Sequence, residues 1–101
     1  RRFDDADPQR DGLDIAFAGL DGAVHLRAPN GMALRMETNQ PCLQLYTGKF
    51  LIPPHRPFEG LCLEPQRYPD ALNHPAFPDN IARPEAPYRQ HLAVTIGPDA
   101  A

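Results

Sequence analysis

Residues 44–78 read QLYTGKFLIPPHRPFEGLCLEPQRYPDALNHPAFP, and their two short apolar runs decide the fold class. Leu43-Gln44-Leu45-Tyr46-Thr47 alternates in the two-residue period of a half-buried strand, closed by Gly48 and then by Pro53-Pro54. Gln44 therefore faces away from Leu43 and Leu45. Leu61-Cys62-Leu63 reads as a second strand, with Glu64 at its end because Pro65 donates no ladder hydrogen bond. A carboxylate at a strand end is held firmly and stays reachable, which suits a general base and equally suits a plain surface charge.

Outward from this stretch the same period recurs. Leu13 to Ala18 reads as a strand, Asp21-Gly22 as a hairpin turn, and Ala23 to Arg27 as the returning strand. Pro29-Asn30-Gly31 is a further tight turn, followed by alternation from Met32 to Thr38. Gln90 to Ile96 forms the last strand, with Leu92, Val94 and Ile96 on one face. Residues 65–88 carry Pro65, Pro69, Pro75, Pro78, Pro84 and Pro87 with little periodicity, as expected of an ordered cover laid across a sheet. Residues 1–12 are polar and read as a loop or frayed terminus. Six short strands joined by turns predict an all-β fold, an antiparallel β-sandwich or part of one, with minimal helix.

Composition narrows the functional classes. The 101 residues suffice for one domain with a core, and 42% hydrophobic content is that of a globular chain. A net charge of -3 argues against nucleic acid or an anionic membrane as partner, since phosphate binding needs clustered Lys and Arg. No apolar run approaches the ~20 residues of a membrane-spanning helix. The N-terminus lacks both the apolar core of a signal peptide and an initiator Met, so a processed chain or a fragment are both open. Cys42 and Cys62 sit in apolar runs and read as buried, reduced thiols of a cytoplasmic protein, a single disulfide being the alternative. The four histidines match no metal-ligand spacing.

The residues themselves leave the chemistry open. Asp14 stands between Leu13 and Ile15 in a strand, where Asp is disfavoured, which marks it as a ligand-binding candidate beside the plain surface reading. Gln44 has the donors and acceptors to bind a polyol, although solvent-facing strand glutamines are common. His74 is expected to fix the proline-rich segment through a backbone hydrogen bond.

Three segments carry a resemblance. Gln44-Leu45-Tyr46-Thr47-Gly48, Gly60-Leu61-Cys62-Leu63-Glu64-Pro65-Gln66, and Tyr68-Pro69-Asp70-Ala71-Leu72-Asn73-His74-Pro75 with Phe77-Pro78 resemble the C-terminal portion of the aldose 1-epimerase (galactose mutarotase) family. Leu13-Asp14-Ile15-Ala16-Phe17 is similar to its D-H-x-F strand, and Tyr88-Arg89-Gln90-His91 to its closing strand. The likeness covers nearly all of residues 12–97 in order. It implies a galactose mutarotase-like β-sandwich that binds an aldohexose, galactose or glucose, and interconverts its anomers with no cofactor and no metal. It places Glu64 as catalytic base, with Asp14 and Gln44 on sugar hydroxyls.

The same resemblance puts the acid histidine before residue 1. The chain is then expected to be a C-terminal segment that is inactive alone and that pairs with the missing part of the sandwich or self-associates. Lys49, Tyr68 and Ile15 stand where the family usually has Asn, Trp and His. The alternatives are a carbohydrate-binding module without catalysis, or a hexose-6-phosphate epimerase whose phosphate would meet Lys49, Arg56 and Arg67.

Overall fold

The structure, a computed structural model, describes residues 3–98. Six strands follow in chain order: β1 (Asp14–Ala18), β2 (Ala23–Arg27), β3 (Ala33–Thr38), β4 (Cys42–Tyr46), β5 (Cys62–Gln66) and β6 (Leu92–Gly97). They form two three-stranded antiparallel sheets, ordered β1-β4-β5 and β2-β3-β6. The architecture is the expected all-β one, a partial sandwich. Helix among the described residues is confined to one turn at α1 (Phe3–Ala6), within the segment read as loop, and a 3-10 turn at Ala71–Asn73. No helix among them is long and apolar enough to cross a membrane.

Pairing departs from the local signals in one place. Asp21-Gly22 does not close a β1–β2 hairpin; β1 pairs with β4, and β2 pairs with β3. The turn instead carries the chain from one sheet to the other. The Leu20 amide donates to the Pro41 carbonyl at 2.9 Å, and the Thr38 amide donates to the Gly22 carbonyl at 3.0 Å. A turn dipeptide reports local backbone conformation and leaves the choice of strand partner to burial. The Pro29-Asn30-Gly31 turn does close a hairpin. The Ala28 amide donates to the Met32 carbonyl, and the Asn30 side chain accepts from the Met32 amide at 3.1 Å.

Register fixes the faces. In the first sheet Ile15, Leu45 and Leu63 lie in one row and Phe17, Leu43 and Pro65 in the next. This apolar face looks toward Val24 and Leu26 of the second sheet across a cleft of about 400 Å³. Leu13, Leu43 and Leu45 are buried along it, and Met36 and Ala33 of β3 are buried as well. The apolar side of β6 is exposed, Ile96 at 66%.

β5 continues through Pro65, where the sequence suggested a stop. It is the outer strand of its sheet among the described residues, so a prolyl nitrogen turned away from β4 loses no ladder bond. Glu64 is consequently mid-strand and not at a strand end. Neither cysteine is paired; Cys42 is buried as expected, but Cys62 is exposed on that outer strand.

The proline-rich segment is ordered by its own short-range contacts and does not bury itself as a cover; residues 72–91 are exposed. Phe77 packs on Tyr68 and on His74, with centroids 4.9 and 5.0 Å apart. Arg67 lies 4.7 Å over the Tyr88 ring. The His74 carbonyl accepts from the Phe77 amide at 2.9 Å, a backbone hydrogen bond within this segment, and its ring meets the Asp70 carboxylate at 3.1 Å.

Candidate functional site

The polar face of the first sheet gathers Asp14, Gln44 and Glu64. Because side chains alternate along a strand, the register that turns Ile15, Leu45 and Leu63 inward turns Asp14, Gln44 and Glu64 to the other side. Gln44 sits at the centre of this face on the middle strand. Ala16 and Glu64 lie directly opposite it on β1 and β5. Asp14 and Gln66 are its diagonal neighbours, within reach of long side chains. The small Ala16 leaves the space beside Gln44 open.

Hydrogen bonds join the diagonal. Gln44 Nε2 donates to Asp14 Oδ1 at 2.8 Å, and Gln66 Nε2 donates to Gln44 Oε1 at 3.4 Å. A carboxylate only accepts, so the Gln44 amide must present its nitrogen to Asp14 and its oxygen to Gln66. Glu64 is exposed, and among the described residues its carboxylate has no hydrogen-bond partner. The face thus offers carboxylate acceptors on both sides of one amide.

Local structure pins the strand that carries Asp14. The Thr47 amide donates to the Leu13 carbonyl at 2.9 Å, and Thr47 Oγ1 accepts from the Leu13 amide at 2.8 Å. Just upstream the Asp7 carboxylate accepts from the amides of Asp11 and Gly12. Tyr46 and Cys62 continue the polar face beyond Gln44 and Glu64. There Tyr46, Leu51, His55 and Cys62 border a cleft of about 310 Å³. The Tyr46 hydroxyl accepts from the Phe50 amide at 2.8 Å, which holds the ring in place. At the opposite end lies Cys42, whose thiol burial pushes above its ordinary pKa and keeps neutral.

The departures from the family pattern fall away from this diagonal. Ile15 lies on the apolar face opposite Leu45, so the change from His leaves the Asp14 face untouched. Lys49 Nζ pairs with Asp11 at 2.7 Å, and Tyr68 keeps an aromatic packing role against Phe77. The basic residues considered for a phosphate all have partners. Besides Lys49, Arg56 meets Glu59 at 4.0 Å and Arg67 donates to the Asp79 carbonyl at 3.4 Å while stacking on Tyr88.

The histidines are distributed elsewhere. His25 lies in β2 of the second sheet, and His91 immediately precedes β6. His55 Nδ1 lies 3.4 Å from Glu59, and His74 is held by Asp70. Among the described residues no three or more His, Cys, Asp or Glu are grouped to hold a metal. Sequence reasoning did not single out Gln66. Its signal was parity, two positions beyond Glu64 and hence on the same face.

Comparison with known proteins bears on this face. A family model described as aldose 1-epimerase matches residues 3–95. The galactose mutarotase of Homo sapiens is 41% identical, over 64% of this chain and 21% of its own length. The Mus musculus galactose mutarotase is 40% identical, over 60% and 20%. The aldose 1-epimerase of Escherichia coli (strain K12) is 36% identical, over 84% and 29%. The chain therefore spans about a fifth of the length of these mammalian relatives. No solved structure matches it.

Proposed function

This chain belongs to the aldose 1-epimerase family, and we propose that its first sheet supplies the basic half of a site that opens an aldohexose ring. In this reading Asp14 and Gln44 bind sugar hydroxyls and Glu64 is the general base. The observation that carries it is geometric. Three polar side chains that are distant in sequence share one face, with Glu64 directly opposite a Gln44 that is bonded to Asp14.

Glu64 takes the proton of the anomeric hydroxyl. The electron pair left on that oxygen forms the carbonyl as the bond from C1 to the ring oxygen breaks, and the ring oxygen accepts a proton from an acid. Rotation about C1–C2 presents the other face of the aldehyde. The reverse sequence then closes the ring as the opposite anomer, with Glu64 returning its proton. A positioned base contributes about 10²–10⁴-fold to such a step. Exposure in mid-strand on a three-strand platform gives Glu64 both access and fixed aim.

No described hydrogen bond links a histidine of this chain to Glu64, and His55 and His74 are engaged with carboxylates. The acid in our reading comes from outside residues 3–98, in the remainder of a longer sandwich that also covers the exposed side of β6. Two unpaired cysteines suit a reducing, cytoplasmic setting.

The test is polarimetry of freshly dissolved α-galactose, with amide NMR as its companion. The chain alone should shift the resonances of Asp14, Gln44 and Glu64 on titration with galactose and leave mutarotation at the buffer rate. In a longer polypeptide that restores the acid, Glu64→Gln should lower the rate by about 10²–10⁴-fold. Full catalysis by the chain alone would sink the half-site, and a near-normal Glu64→Gln rate would remove Glu64 as base. Sugar binding without anomer conversion by the longer polypeptide would mark a binding module instead.

A further inference from the structure

We propose that Gln66 is a positioning residue that holds the Gln44 amide in the one orientation able to serve both Asp14 and a sugar. The inference rests on the reading of Gln44 as a sugar ligand and names a residue that does not itself touch the sugar.

The argument follows from donor and acceptor counting along the diagonal. Asp14 can only accept, so it takes an N–H from Gln44. That leaves the Gln44 carbonyl pointing across the sheet toward β5. A carbonyl there needs a donor. Glu64, directly opposite, is an acceptor when ionised and cannot supply one. Gln66, two residues further along the same face, supplies its Nε2 at 3.4 Å. With both ends of the amide engaged, the second N–H of Gln44 is the group left to project from the face.

Without the Gln66 donor, the unanchored Gln44 carbonyl would face the Glu64 carboxylate across the ladder. Like dipoles would then favour rotation of the side chain away from the sheet, and the rotamer would have to be ordered again on sugar binding. Gln66 therefore supplies preorganisation. Its side chain is half-buried while Glu64 is exposed, as expected of a supporting group beside a reacting one.

The experiment separates donation from bulk in the 101-residue chain. Gln66→Glu is isosteric and acceptor-only, Gln66→Met is similar in length with no donor, and Gln66→Lys keeps a donor. Side-chain amide NMR of Gln44 reads the orientation without sugar. In the parent, the Gln44 amide proton donated to Asp14 should exchange more slowly with water than its partner. Gln66→Glu and Gln66→Met should speed that exchange, the Glu variant more, and Gln66→Lys should keep it slow, with backbone amides of the β2–β3 hairpin unmoved in all three.

Galactose affinity should fall about fivefold to twentyfold in the two donor-less variants, the weight of roughly one hydrogen bond, and recover in Gln66→Lys. Unchanged Gln44 exchange in Gln66→Glu overturns the proposal, as does equal loss in Gln66→Lys and Gln66→Met. A different failure identifies the underlying reading. If Gln44→Leu leaves galactose titration unchanged while Gln66→Glu still frees the Gln44 amide, Gln44 is no sugar ligand, although Gln66 still positions it.

Discussion

Gly48→Ala is the substitution whose effect the structure specifies most fully. Gly48 follows the strand that carries Gln44, has φ of +81°, and its carbonyl accepts from the amides of Leu51 at 3.3 Å and Phe58 at 2.8 Å. A Cβ placed there would stand 2.3 Å from the Gly60 carbonyl oxygen and 3.1 Å from a Leu51 methyl. Two penalties add. Left-handed backbone costs an L-residue roughly 1–2 kcal/mol. Forcing a carbon into a packed site costs about 1–3 kcal/mol, and here the obstacle is backbone, which cannot swing aside as a side chain would.

The sum is on the order of 2–5 kcal/mol. Gly31→Ala is the matched control: φ is +87°, yet nothing lies within 4 Å of its Cβ. Both substitutions remove the same backbone freedom from the unfolded chain, so that contribution cancels in the comparison. The difference isolates the close approach, about 1–3 kcal/mol, or an extra fall in Tm of roughly 5–20 °C for a chain of this size. Thermal unfolding followed by circular dichroism measures it. Equal Tm values for the two variants would show that the Gly48–Gly60 contact does not exist in solution and would refute the reasoning.

Two further outcomes follow from the polar and thiol groups. Iodoacetamide should alkylate Cys62 and spare Cys42 in the folded chain, because Cys42 is 1% exposed and burial raises its pKa; mass spectrometry of peptides reads the site, and equal labelling would contradict the packing of β4. The Ile81 amide, with the Arg83 guanidinium beside it, holds the Asp79 carboxyl below its ordinary pKa. The stabilisation is therefore complete above the ordinary value of about 3.9 and is lost as pH falls through the lower, folded one. An NMR titration of the Ile81 amide should show its midpoint below that of Asp in a model peptide, and a midpoint at or above it would remove this link.

Much of the architecture was legible because burial on one side of a sheet imposes a two-residue period. Met32 to Thr38 and Gln90 to Ile96 both announce strands that the structure places side by side. Partner choice was not legible. Asp21-Gly22 has hairpin chemistry, yet the apolar faces of β1 and β4 belong together, and no local dipeptide encodes that. Pro65 misled for a related reason. A proline forbids a central strand but not an outer one, and sheet order is a property of the whole fold. At the site, the residue types of Asp14, Gln44 and Glu64 were suggestive one by one. Their common face depends on the register of three strands, as does the part played by Gln66.

The crossing at Gly19–Gly22 also bears on the order in which the strands can pair. The second sheet contains a true hairpin, β2 to β3, which closes over a short turn and needs little chain to be ordered. The first sheet has no such tight turn, its consecutive pair β4–β5 being joined by residues 47–61. Asp14 and Gln44 are 30 residues apart, and Gln44 and Gln66 are 22 apart. Each of those ladders must absorb the entropy of closing a long loop before any pairing rewards it, the circumstance that slows non-local β-structure. By that measure the polar face of the first sheet is expected to form after the β2–β3 hairpin. A chain that holds only that hairpin has yet to bring Asp14, Gln44 and Glu64 onto one face.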